Sequence, residues 1–118
     1  FLAWEPHPMN KKFNITYLSG GDEYFGANYG GTTINTLSRR GYAEQCPNAG
    51  KLFNQLVFST EMENAIMEGI EDKRQDASVA AMEYLKANPE PIAAWLDGVT
   101  TFAGEPGLPA VRKALKLD

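Results

Sequence analysis

One indole ring carries the most distinctive chemistry this sequence could perform. Trp4 closes a short apolar run, Phe1-Leu2-Ala3-Trp4, and Glu5-Pro6-His7-Pro8 follows at once. The two prolines fix φ and remove donors, so a turn is expected directly after the ring. The carboxyl end of a strand is where α/β folds place ligands. An indole face is also the best side-chain partner for a quaternary ammonium, a cation with no N–H to donate. The same ring serves equally as a core residue, and on the residues alone the two readings of Trp4 stand level. Trp95 differs, because with Ile92 and Leu96 it lies on a helical stripe and reads as core.

Reactive groups are otherwise sparse. There is no G-x-S-x-G elbow, no P-loop and no H-E-x-x-H. The one histidine, His7, cannot build a His-rich metal site, and adding Glu5 leaves too few ligands. Gly20, Gly21, Gly26, Gly30 and Gly31 do not fit a dinucleotide fingerprint. Glu61, Glu63 and Glu68 read as a solvated helix face. With no nucleophile–base pair in sight, the chain does not read as an enzyme. The one cysteine, Cys46, reads as a free, partly buried thiol.

Composition bounds the partners. The 118 residues are 43% hydrophobic and 22% charged, which is ordinary for a globular chain. A net charge of −4 argues against nucleic acid, which needs a basic stripe. No apolar run approaches the roughly 18–20 residues of a membrane span. An aliphatic-aromatic start that runs straight into a turn resembles the middle of a buried strand, so the chain is expected to begin inside a fold.

The elements that would position Trp4 follow from periodicity. Residues 1–4 are expected to end a strand. In residues 12–18, Phe13, Ile15 and Tyr17 alternate with Asn14 and Thr16, the pattern of a half-buried strand. Residues 19–31 are glycine-rich and are expected to be anchored by Tyr24, Phe25 and Tyr29. Residues 32–37 are β-branched and read as another strand. Helical periodicity takes over at Pro47, and Leu52, Phe53, Leu56 and Val57 form an apolar stripe. Thr60 with Glu63 fits a capping box for a second helix. Asp76 caps a third, which ends at Asn88-Pro89. A fourth starts at Pro91, and a last runs from about residue 108 to 115. Two strands do not make a stable sheet alone, so the sheet is expected to be completed from outside this chain.

Several segments resemble one family. Phe-Leu-Ala-Trp-Glu-Pro-His-Pro-Met-Asn (1–10) and Lys-Phe-Asn-Ile-Thr-Tyr-Leu (12–18) are similar to binding proteins of glycine betaine, choline and proline betaine ABC importers. Tyr24-Phe-Gly-Ala-Asn-Tyr-Gly-Gly (24–31), Gly41-Tyr-Ala-Glu-Gln-Cys-Pro-Asn (41–48) and Met62-Glu-Asn-Ala-Ile-Met (62–67) look most like the choline-binding branch. The likeness continues through Trp95-Leu-Asp-Gly-Val-Thr-Thr (95–101) and covers essentially the whole chain.

The resemblance implies an α/β chain, the C-terminal part of a two-lobed periplasmic-binding-protein fold of type II. It would have two or three strands followed by four or five helices. Residues 1–22 would belong to the second lobe, and residues 23–118 would cross the hinge and finish the first. Trp4 matches a tryptophan of the family's aromatic box, and Glu5 and His7 are secondary candidates for ligand contact. The remaining box aromatics lie upstream in the family. The implied partners are a quaternary ammonium ligand, the ABC permease subunits and the N-terminal part of the same protein, with no cofactor and no metal. The implied setting is extracytoplasmic, and there Cys46 would pair with an upstream cysteine. A stand-alone helical interaction domain is the alternative from another class.

Overall fold

From residue 42 onward the chain is a succession of helices, each starting or stopping where the sequence punctuates it. A computed structural model describes residues 1–117, with the side chains of residues 28 and 29 outside the description. Tyr29, one of the three expected loop anchors, therefore lies outside the described side chains. In chain order the helices are α1 (Met9–Lys12), α2 (Asp22–Phe25), α3 (Ala27–Gly30), α4 (Tyr42–Gln45), α5 (Pro47–Gln55), α6 (Thr60–Glu71), α7 (Ala77–Ala87), α8 (Glu90–Trp95) and α9 (Gly107–Leu115). The first four are single turns.

Local chemistry explains the boundaries. Pro47 opens α5, where its missing N–H costs nothing. At α6 the expected capping residue is displaced by one. Ser59, with extended backbone, accepts the Met62 N–H at 3.2 Å, and Thr60 is already helical. Asp76 caps α7, accepting the Ser78 N–H at 2.9 Å and its hydroxyl at 2.6 Å. These contacts hold the Asp76 carboxyl below the usual carboxylate range, with the Ser78 hydroxyl the larger cause. The Glu61 carboxyl is lowered by its own backbone N–H at the start of α6 and by the Ser59 hydroxyl. Arg112 and Lys113 in the last turn of α9 complement its dipole, and Lys116 closes it in a left-handed conformation.

Among the packed helix pairs, α2 with α3, α4 with α5, α6 with α7 and α5 with α8, the last two carry the long-range contacts. α6 and α7 form a hairpin that packs tightly at Gly69. A Cβ there would lie 2.9 Å from the Ala80 Cβ and 2.8 Å from Gln75 Oε1, so only glycine fits. α5 grips the end of α8 with a row of polar side chains at positions 48, 51 and 55, one face of the helix. Asn48 Nδ2 donates to the Thr100 carbonyl at 2.7 Å, and Asn48 Oδ1 accepts the Thr100 N–H at 2.8 Å. Lys51 donates to the Gly98 carbonyl at 3.0 Å. Gln55 Nε2 donates to the carbonyls of Trp95, Asp97 and Ala94 at 2.7, 3.2 and 3.3 Å. Orphan carbonyls at a helix end need such donors, and α5 supplies them. Trp95 is half-buried on α8, packed against Phe58 with centroids 5.3 Å apart, and its Nε1 donates to the Val57 carbonyl at 3.0 Å.

The expected strands do not form. Residues 1–4, 12–18 and 32–37 have no ladder partner, Lys12 instead ending α1, and the one β-bridge among the described residues joins Thr100 to Pro106. The reason is physical: a strand is completed by a neighbour, and these segments have none within the described chain. Their apolar residues stay exposed, Ile34 at 85% and Leu37 at 88%. The buried apolar side chains are Pro8, Met62, Ala80, Ile92 and Val99. The radius of gyration, 17.9 Å, exceeds the roughly 13.5 Å of a compact chain this long.

Candidate functional site

The site is built on the turn that the two prolines impose. Pro8 is fully buried and acts as N-cap of α1, so the turn has a fixed seat. Asn10, in the first turn of α1, folds its side chain back over residues 4–7. Its Nδ2 donates to the Trp4 carbonyl at 2.9 Å and to the His7 carbonyl at 3.2 Å, while its Oδ1 accepts the Tyr17 hydroxyl at 2.9 Å. One amide thus fixes the Trp4 backbone and ties it to the segment that follows.

The Trp4 ring is held from one side. His7 meets it edge-to-face, with centroids 5.2 Å apart and planes 77° apart. Such an arrangement matches the ring quadrupoles. Trp4 remains 53% exposed. His7 is hydrogen-bonded at one nitrogen and lies near a carboxylate at the other. Nδ1 accepts the Met9 N–H at 3.1 Å, and Nε2 faces Glu71 Oε2 at 3.6 Å. Beside it Lys12 pairs with Asp72. The turn is therefore tied twice to the C-terminal end of α6.

The sequence candidates separate accordingly. Trp4 and His7 are brought together. Glu5 is exposed and makes no hydrogen bond or ion pair among the described residues. Cys46 lies at the start of α5, partly buried, with a free thiol among the described residues. An open apolar depression beside the turn is lined by Phe1, Met9, Phe13, Asn14, Ile15 and Thr16, and Trp4 is not part of it. Sequence reasoning missed Asn10, Glu71 and the Lys12–Asp72 pair. Asn10 had a signal, since an asparagine just past a proline turn commonly bonds nearby backbone. Among the described residues no group of three or more His, Cys, Asp or Glu side chains could hold a metal ion. No helix among them is long and apolar enough to cross a membrane.

Comparison with known proteins gives the chain a family. The model for the substrate binding domain of ABC-type glycine betaine transport systems matches residues 1–87. The chain belongs to that family, whose members serve transport as binding proteins and not as enzymes. It is 29% identical over 103 residues to the glycine betaine/carnitine transport binding protein GbuC of Listeria monocytogenes serotype 1/2a (strain 10403S). That match takes in 87% of this chain and 33% of GbuC. A solved ABC-transporter choline binding protein in complex with choline is 53% identical, with a TM-score of 0.83 over 96% of this chain and 39% of that one. An ABC-transporter choline binding protein in an unliganded semi-closed conformation matches at 53% identity and a TM-score of 0.75, with the same coverage. The chain thus shares the fold of the corresponding part of such binding proteins and spans about a third of GbuC.

Proposed function

We propose that this chain is the C-terminal part of an extracytoplasmic solute-binding component of an ABC importer for quaternary ammonium compounds, choline foremost. The observation that carries this reading is Trp4: a half-exposed indole, backed by His7 and fixed by Asn10, in a chain 53% identical to a choline-binding protein. A trimethylammonium group offers no N–H, so it is held by ring faces, each contributing roughly 0.5–2 kcal/mol when desolvated. Trp4 supplies one wall, and the remaining walls come from the rest of the protein. Glu5, exposed beside the ring, is a further ligand-side candidate. Glycine betaine is the second ligand to test, since the family's name points to it.

The two-lobed arrangement fits the same evidence. The chain superposes better on the choline complex than on the semi-closed form, at equal identity and coverage. A piece lying wholly within one rigid lobe would match both alike. This supports a lobe boundary inside the chain, which we propose divides residues 1–22 from residues 23–118. Exposed Phe1, Ile34 and Leu37 then become strand residues that pair with the N-terminal part of the protein. Such exposure tells against a stand-alone helical domain. Closure of the lobes excludes water and presents both to the permease subunits. In that extracytoplasmic setting Cys46 pairs with a cysteine from the N-terminal part. The test is calorimetric titration of choline and glycine betaine into the full-length gene product and its Trp4→Ala variant. Binding of choline by the variant as tight as by the parent would overturn the role of Trp4.

A further inference from the structure

We infer that His7 is a positioning residue for the ligand wall: it sets the angle of the Trp4 indole, and Glu71 at the end of α6 acts through it. This rests on the reading of Trp4 as a wall of the quaternary ammonium site. Geometry carries it: the imidazole is held at Nδ1 by the Met9 N–H and has its Nε2 edge turned to Glu71. Nδ1 accepts the Met9 N–H at 3.1 Å, and Nε2, left as the ring's N–H position, lies 3.6 Å from Glu71 Oε2, within ion-pair range and beyond a hydrogen bond. The Nδ1 hydrogen bond and the nearby Glu71 carboxylate restrain the ring, which meets the indole at 5.2 Å and 77°.

A half-exposed tryptophan has several rotamers open to it, and a cation–π wall works in one of them. Ordering that ring before ligand arrives removes a cost otherwise taken from binding. The tie is also long-range, since residue 71 belongs to a helix that the turn reaches only by folding back. Lys12 and Asp72 hold the same two elements together one residue further on. The wall's orientation is therefore referred to α6 and not to the turn alone.

The experiment compares choline affinity and melting temperature in the full-length gene product carrying Trp4→Ala, His7→Ala, Glu71→Ala, Glu71→Gln, or His7→Ala with Glu71→Ala. Loss of the edge-to-face contact is expected to raise the choline Kd about fivefold in His7→Ala. Glu71→Ala should raise it about threefold, and the double variant no further than His7→Ala, because residues acting through one another are not additive. Glu71→Gln keeps the reach and an acceptor oxygen, and should recover most of the loss. If His7→Ala binds choline like the parent while Trp4→Ala loses affinity, the positioning role is overturned and the wall stands. An additive double variant whose affinity loss tracks its loss of melting temperature overturns it too. If Trp4→Ala itself binds like the parent, the wall reading falls first and this inference with it.

Discussion

The two tryptophans of this chain should respond to truncation in opposite ways. Trp4 is half-exposed and touches His7, whereas Trp95 is bonded to Val57, packed on Phe58 and seated on a helix gripped by Gln55. Trp95→Ala removes a hydrogen bond contributing about 1 kcal/mol and an aromatic contact of about 1 kcal/mol. With lost packing, the total is about 3 kcal/mol, the low end for a large-to-small change because the ring is only half-buried. In the full-length gene product, urea unfolding should show that loss as a lower midpoint with unchanged slope. Trp4→Ala should leave the midpoint nearly in place and cost about 2 kcal/mol of choline binding, over tenfold in Kd. A Trp95→Ala protein of parental stability, or a Trp4→Ala protein that loses stability and affinity in step, would refute the division of labour.

Asn48→Ala should destabilise by about 1 kcal/mol, because it removes two hydrogen bonds to the exposed Thr100 backbone whose groups water then takes up, and a denaturant midpoint reads this directly. Asp76 has a depressed folded-state pKa, so its stabilisation is present above the unfolded aspartate value and is lost as pH falls through the folded one. Asp76→Ala should therefore remove part of the acid sensitivity of α7 below about pH 4, followed by amide exchange across residues 77–87. Thiol titration of the unreduced, denatured full-length protein should find Cys46 unreactive, and a freely titrating Cys46 would refute its pairing.

What the sequence revealed follows from how far each signal reaches. The starts of α5 and α7 were legible because Pro47 and Asp76 act on their own first turns. The start of α6 was read one residue late, since Ser59 and Thr60 can both cap and only the backbone conformation chooses. Strand alternation at Phe13, Ile15 and Tyr17 was plain, yet alternation states only that one side will be covered. The cover is non-local, and within the described chain it is missing. The row of Asn48, Lys51 and Gln55 carries no local signal, because its carbonyl partners lie some 40–50 residues away.

The same distinction governs the candidate site. The type of Trp4 and its place before a proline turn could be read directly, and so could the chemistry of an indole face. What could not be read is the restraint on that face. Asn10 acts within the turn, but Glu71 reaches His7 from 64 positions along the chain, and Lys12 meets Asp72 across 60. A single exposed ring contributes too little to select a ligand by itself. It becomes a useful wall when its orientation is fixed before binding, and here that fixing passes from the end of α6 through one imidazole to the indole.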